Sequence, residues 1–432
     1  MSKQHTLCAL VIRPSDRAIF TVEGNRLPAK EIEAANSWML DAGNKLVQQA
    51  MLDMFGVAPV VLRRYEQERD EARTQTTIVY ELDYFEPAVT GRWRPAAELA
   101  HPPHRAIAER AAANLNAPPT RAPWMSRGWH ASAEAWITQQ LTQHGYTVTN
   151  IEPHRSWCIS YLARILTTSG ERFFFKASID LPLFANEGAV TAYLHGQFPR
   201  VVPRPIAVDV ARHWFILADF GKPIDNHKQL DLPTRLAVIE RVVEMQRASA
   251  AKIDDLLANG CVDRRLPLLM SELEGWEAED APVYRGLSAE EAARLRAALP
   301  TLRESCQTLI DSPLPTTLIH GDLHEGNLHL DGNDLTIFDW SDAAVGFPWV
   351  DQFLIFDAPD EKREQVTAAY LKLWEGVASA EQLQRFWQFW QPLFYFYHAV
   401  SYVSIFDHID PTTAWELGGD ASGYVRGGLK YL

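Results

Sequence analysis

Polar and apolar positions in the first 115 residues fall into short runs broken by turn residues. Residues 7–12 and 17–22 are β-prone and flank a polar turn, residues 32–55 repeat with helical spacing up to Gly56, and residues 57–62 and 77–85 return to strand character. A short closing helix over 105–115 completes the order β, β, α, β, β, α, which predicts a compact α+β domain. Pro102, Pro103, Pro118, Pro119 and Pro123 then punctuate the chain, and APPTRAPWMSRGW reads as a connecting segment. The expected layout is a domain over 1–118, a linker over 119–131, and a second folding region from 132 onward.

That second region opens with strands. Residues 163–168 and 172–177 are two β-prone runs around Ser169 and Gly170, and Lys176 closes the second. A lysine there is either an edge charge that discourages aggregation or a cation put to use. Leu183, Ala185, Ala189, Val190, Tyr193 and Leu194 repeat with helical spacing around Glu187, and residues 206–210 and 213–218 predict two further strands. Farther on, the arms 327–330 and 335–339 flank Asp331, Gly332, Asn333 and Asp334, a strong hairpin signal. Such a turn makes Asn327 and Asp339 near cross-strand neighbours, roughly 5 Å apart. The aromatic series Phe386, Trp387, Phe389, Trp390, Phe394, Tyr395, Phe396 and Tyr397 predicts a helical core, with some members available to line a cleft.

Composition bounds the classes. At 432 residues the chain is too long for one ordinary core. The absence of an apolar run of about 18 residues argues against a membrane span, and the opening lacks a signal-peptide pattern, so a cytoplasmic protein is expected. Cys8, Cys158, Cys261 and Cys306 are scattered without metal spacing and are expected as reduced thiols. Acidic side chains outnumber basic ones, 55 to 41, which argues against nucleic acid as partner and is compatible with a cationic acceptor. The acidic stretch 272–280 and the set Asp407, Asp410, Glu416 and Asp420 are either solvated faces or contacts for a positive group.

The densest chemistry is HGDLHEGNLHLDGNDLTIFDW, from His320 to Trp340. Mg²⁺ keeps several waters and takes one or two protein oxygens beside phosphate oxygens, so Asn327 and Asp339 at a hairpin mouth suffice as ligands. Asp322 stands ready to orient an acceptor hydroxyl and take its proton. The Asp322 to Asn327 interval equals that of the HRDxxxxN loop of protein kinases, and Phe338, Asp339 and Trp340 stand where DFG would. The bland alternative is a polar loop followed by an ordinary turn.

HGDLHEGN, then FDW, then SDAAVGFPWVD resembles the aminoglycoside phosphotransferase and choline kinase-like family of small-molecule kinases. The resemblance implies a bilobal protein kinase-like fold, with an N-lobe over 132–220 and a C-lobe over 221–432 whose acceptor-binding region is mostly helical. It implies ATP or GTP with Mg²⁺, and transfer of phosphate to a hydroxyl of a small molecule such as an aminoglycoside, sugar or amino alcohol. Lys176 would hold the nucleotide phosphates with Glu187 as its partner, and the connector around Ile216, Ala218 and Phe220 would hold the base through its backbone. Asn327 and Asp339 would carry the metal, Asp322 would serve catalysis, and His320, Asp342 and Asp351 would support the loops. His324 receives no role. One departure is that the turn expected over the phosphates reads PHRSWCISYL without a glycine, leaving Ser156 to offer its hydroxyl and N–H. The alternative is a kinase fold used silently, for binding or regulation.

The amino-terminal order and QQAMLDMFGV resemble a Nudix hydrolase fold. Gln49, Ala50, Asp53 and Met54 occupy the motif's Arg, Glu, Glu and Glu positions, while Gly56 and Val57 agree. A pyrophosphate-cleaving site needs several carboxylates, so the resemblance implies a degenerate domain for binding, regulation or assembly. A helix ending in Gly56 is equally an ordinary C-cap.

Overall fold

A computed structural model describes residues 3–34, 40–41, 43–57, 59–69, 75–115, 121–224, 230–332, 334–356 and 358–432. They form two compact units, Met1–Ile179 with Ile409–Glu416, and Asp180–His408 with Leu417–Leu432. Pro118 and Pro119, where the first domain was expected to end, lie outside the described residues, as does Asn333 in the hairpin turn.

The first unit begins with β1 (Lys3–Val11), β2 (Ile19–Thr21), β3 (Ala29–Ala34), α1 (Lys45–Phe55), β4 (Val61–Arg69), β5 (Gln75–Leu82), β6 (Arg92–Arg94) and α2 (Pro102–Ala113). Four strands make a sheet ordered β3-β1-β5-β4, in which β1 and β5 run parallel and the outer pairs are antiparallel. Successive side chains of β1 point to opposite faces. Leu7, Ala9 and Val11 therefore pack with Val47, Ala50, Met51 and Phe55 of α1, while Cys8, Leu10 and Ile12 pack with Ile107, Ala108 and Ala111 of α2. Asn44 caps α1 by accepting the Leu46 N–H, and Gly56 ends it at φ 73°, donating its N–H to the Leu52 carbonyl.

The helix expected over 32–55 is shorter than its periodicity suggested. Ala29–Ala34 is instead β3, paired antiparallel with β1, and its exposure alternates along AKEIEA. Ala, Glu and Lys are good helix formers, but intrinsic propensity yields to tertiary context, and a register of backbone bonds to β1 prevails. The short β6, which pairs with β2, was not expected either, so the order is β, β, β, α, β, β, β, α.

Within the expected connecting segment, Arg121 pairs with Glu81 and Trp124 is fully enclosed. Then come α3 (Trp129–Gln143) and three antiparallel strands, β7 (Val148–Ser156), β8 (Ser160–Thr167) and β9 (Arg172–Ser178). Ile409–Glu416 completes this unit through two buried ion pairs, Arg63 with Asp410 and Arg64 with Glu416.

The second unit contains α4 (Glu187–Gln197), the antiparallel pair β10 (Pro205–Asp209) and β11 (Trp214–Ala218), then α5 (Leu232–Ser249), α6 (Ile253–Ala258), β12 (Val262–Arg264), α7 (Leu266–Gly275) and α8 (Ala289–Ile310). After these follow β13 (Thr317–Ile319), β14 (Leu328–Asp331), β15 (Asp334–Ile337), β16 (Ala344–Gly346), α9 (Phe353–Phe356), α10 (Asp360–Lys372), α11 (Ala380–His408) and α12 (Ala421–Gly428). A small sheet ordered β12-β16-β13 and the hairpin β14-β15 carry the loops of interest. The aromatic run of α11 is mostly core: Phe386, Trp387, Trp390, Phe394, Phe396 and Tyr397 are buried. Among the described residues no helix is long and apolar enough to cross a membrane. All four cysteines are buried free thiols.

Candidate active site

The loop after β13 is suspended from Asp351. One carboxylate oxygen of Asp351 accepts the His320 N–H at 2.8 Å and the Gln246 side-chain amide at 3.1 Å, and the other accepts the Gly321 N–H at 2.8 Å. Burial pushes the Asp351 carboxyl up, while the His320 and Gly321 N–H groups and the Gln246 amide pull it back. Gly321 has φ 85°, and a Cβ there would stand 2.5 Å from the Asp342 carbonyl oxygen, so the HGD sequence needs glycine at its centre.

His320 joins this loop to the end of the hairpin. Its Nε2 lies 2.9 Å from the Phe338 carbonyl, which can only accept, so Nε2 carries the proton and Nδ1 accepts the Asp322 N–H at 3.3 Å.

The hairpin register pairs Leu328 with Ile337 and Asp331 with Asp334. Asn327 therefore faces Phe338, whose N–H donates to the Asn327 carbonyl at 3.1 Å, and Asp339 comes one residue later. Asp339 has φ 63° and ψ 58°, the left-handed conformation that aspartate tolerates better than most residues. It leads a single turn, Trp340–Asp342. The Asn327 Nδ2 donates to the Asp322 carbonyl at 2.8 Å, which leaves its Oδ1 as an acceptor.

Three carboxylates gather here. Desolvation by the surrounding protein would raise the Asp322 carboxyl, but the approach of the His324 ring outweighs it and holds Asp322 below the ordinary aspartate value; Asp339 pushes the other way. Burial, then the charges of Asp322 and Asp339, push Asp342 up to about 7 despite a hydrogen bond from the Ser341 hydroxyl. Among the described residues no three His, Cys, Asp or Glu side chains form a metal cage. An open site of one amide oxygen and one carboxylate is what Mg²⁺ on phosphates requires, and crowded carboxylates gain from a cation, so the residues present fit that ion.

The connector after β11 packs on the same hairpin. Phe220 lies 4.9 Å from Phe338, ring centre to ring centre, and the Lys222 carbonyl meets the His329 Nδ1 at 2.6 Å. Ile216 is buried, while Ala218 and Phe220 are partly exposed. Glu187 opens α4 and is buried. In the first unit, Lys176 faces Leu162 of β8 and Ser156 faces the adjacent Tyr161, so the two flank one strand.

The sequence profile described as "Phosphotransferase enzyme family" matches residues 163–388, more than half of the chain. The chain belongs to this family. The matched region has the protein kinase-like fold. Among solved structures, the chain is similar to macrolide 2'-phosphotransferase MphH from Brachybacterium faecium, at 16% identity over 69% of this chain and 97% of that one, with a TM-score of 0.42. It is also similar to choline kinase LicA from Streptococcus pneumoniae, at 13% identity over 69% and 98%, TM-score 0.48. A spectinomycin phosphotransferase in complex with ADP and spectinomycin shares 10% identity over 69% and 96%, TM-score 0.45. No curated protein matches the chain significantly.

Several residues of this family member had no assigned place in the sequence reading. His324 accepts the Gly326 N–H on Nδ1 at 3.0 Å, which turns Nε2 toward Asp322 Oδ2, 3.6 Å away. Glu325 is buried against Arg235 of α5 at 2.6 Å and holds the loop between Asp322 and Asn327. Tyr402 on α11 and Tyr424 on α12, 5.0 Å apart, are pushed up by burial and then by neighbouring charge that includes Asp322. The repeated HxD and HxxN spacing around 320–327 signals His324. Nothing local signals the tyrosines. The acidic stretch 272–280 is an exposed face at all five of its carboxylates.

Proposed function

We propose that the protein is a Mg²⁺-dependent phosphotransferase that moves the γ-phosphate of ATP or GTP to a hydroxyl of a small molecule, of the aminoglycoside, sugar or amino alcohol kind. The observation that carries this reading is the Asp322–Asn327 loop. Asp322 is half-exposed and held in its charged form, and Asn327 spends its amide donor on that loop while keeping its oxygen. Asp322 orients the acceptor hydroxyl and takes its proton. Lys176 holds the nucleotide phosphates, Glu187 positions that lysine, and the backbone around Ile216, Ala218 and Phe220 holds the base. Asn327 and Asp339 would hold Mg²⁺, which when bound supplies positive charge to the phosphate oxygens. His320, Asp342 and Asp351 keep the two loops in place. The domain layout follows the same reading: 1–118 a small α+β domain, 119–131 a connecting segment, 132–220 the N-lobe and 221–432 the C-lobe.

The amino-terminal domain carries no hydrolytic role in this proposal. Asp53, the single carboxylate among the four motif positions, pairs with Lys30 at 2.5 Å and accepts the Gln49 amide at 2.7 Å. Those partners hold its carboxyl below the ordinary value.

The test is incubation of the protein with Mg²⁺, ATP or GTP and a panel of amino sugars, sugars, nucleosides and amino alcohols, followed by mass spectrometry for one added phosphate. Asp322→Asn should lower the rate by about 10²- to 10⁴-fold while nucleotide binding persists. A wild-type protein that binds neither nucleotide and phosphorylates nothing would end the proposal.

A further inference from the structure

The glycine-free turn between β7 and β8 is held from outside its own hairpin. The Ser156 N–H donates to Asp41 Oδ1 at 2.9 Å, and the Trp157 carbonyl accepts the indole N–H of the enclosed Trp124 at 2.8 Å. The Trp157 backbone N–H and indole N–H both go to Ser160, at 3.2 and 2.6 Å. Asp41 lies in the loop ahead of α1. The same Asp41 oxygen accepts the Gly43 N–H at 2.8 Å, and Gly43 presses backbone to backbone on β7: a Cβ there would stand 2.6 Å from the Arg155 nitrogen.

Arg64 of β4 stands behind Asp41. Its Nη2 is 3.9 Å from Asp41 Oδ2, its Nε is 2.8 Å from Glu416 Oε1, and its Nη1 is 3.3 Å from the Leu40 carbonyl. The guanidinium also lies 4.9 Å over the ring of Trp415. The Arg64, Asp41 and Glu416 side chains are 8%, 7% and 1% exposed, so the group is shut off from water. Burial pushes the Glu416 carboxyl up, and Arg64 and the Cys158 N–H pull it back. The hydrogen bonds of Arg64 to Glu416 and of the Ser156 N–H to Asp41 are charge-assisted and strong in such surroundings, whereas Arg64 meets Asp41 as a nearby charge.

We propose that Arg64, acting through Asp41, is a positioning residue for the phosphate end of the nucleotide: it fixes the 156–160 turn from the amino-terminal domain. The inference rests on the kinase reading, in which this turn faces the phosphates. A glycine-rich loop is ordered when nucleotide binds, and that ordering reduces affinity. Here the turn's backbone groups are assigned when the chain folds, so phosphate affinity depends on residues that no nucleotide touches.

Calorimetry on the full-length protein tests this with Mg²⁺·ADP and, separately, with adenosine. Asp41→Ala, which removes the acceptor of the Ser156 and Gly43 N–H groups, should weaken Mg²⁺·ADP by about tenfold, the scale of one hydrogen bond to a charged group, and leave adenosine unchanged; Arg64→Met should weaken it in the same direction and by less. Arg64→Lys should recover part of the loss, since a lysine keeps the charge without the fork of donors. Amides of 156–160 should exchange slowly in the nucleotide-free wild type and faster in Asp41→Ala. If Arg64→Met fails to fold, Asp41→Ala decides. A folded Asp41→Ala protein with wild-type affinity for Mg²⁺·ADP overturns the inference, as does equal weakening of adenosine or fast exchange in the wild type. Failure of the wild type to bind either Mg²⁺·ADP or Mg²⁺·GDP overturns the kinase reading, and this inference with it.

Discussion

Replacing Asp351 with asparagine isolates what the HGD loop owes to a single carboxylate. The carboxylate has three donors facing it: the His320 N–H and the Gln246 amide on one oxygen, and the Gly321 N–H on the other. An asparagine can accept on one side only. The cheaper orientation turns its NH₂ toward Gly321, which leaves one buried backbone donor unsatisfied at a cost of about 1–3 kcal/mol. The two remaining bonds lose their charge assistance, roughly another 1 kcal/mol. Against this, Asp351 is pushed up by burial, so removing its charge returns part of that cost. The net expectation is about 2 kcal/mol of destabilisation, close to thirtyfold in an opening equilibrium. Hydrogen exchange at the His320 and Gly321 amides reads the local term, and urea denaturation reads the global one. Asp351→Ala, which removes every acceptor, should cost about 4 kcal/mol. Wild-type exchange at both amides in Asp351→Asn would refute the claim that the loop hangs from this residue.

Other outcomes follow from the same physics. Glu325→Gln should cost about 3–5 kcal/mol, because the buried Arg235–Glu325 ion pair loses one of its two charges; the double variant Arg235→Met, Glu325→Leu should recover most of it, and thermal melts of the three proteins check both. Buried His130, whose Nε2 donates to the Trp124 carbonyl at 3.0 Å, is held down to about 4 chiefly by desolvation. Its unfolded value is near 6.5, so the unfolded chain takes up the proton first; the stability is fully present above about pH 6.5 and is lost as pH falls toward 4, on the order of 3 kcal/mol. His130→Phe should flatten that part of the urea midpoint against pH profile, and an unchanged profile would show that His130 is not the titrating group.

Local signals read well. The hairpin bearing Asn327 and Asp339 was legible because alternation and a Gly332 turn lie within a dozen residues, and β8, β9, β10 and β11 were legible for the same reason. Side-chain spacing around Asp322 also gave the candidate loop. Nonlocal pairing was not legible. Ala29–Ala34 has a composition that suits a helix, and only β1 makes it a strand. Asp410 and Glu416 looked like members of an acidic surface set, yet both are buried on arginines 347 and 352 residues away. The Ser156 N–H, assigned from sequence to a phosphate, is taken by an aspartate 115 residues earlier. No window of sequence carries such partners.

The return of Ile409–Glu416 to the first unit sets a timetable for synthesis. Arg63 and Arg64 emerge from the ribosome early, but their carboxylates follow 347 and 352 residues later. At about 5–20 residues per second that interval is roughly 20–70 s. During this time the nascent unit holds two cations bound for its interior without Asp410 and Glu416, with only the more distant Asp41 beside Arg64, and its last segment arrives only once residue 416 has been made. Truncation before residue 409 should therefore destabilise Met1–Ile179, the unit to which the lost segment belongs.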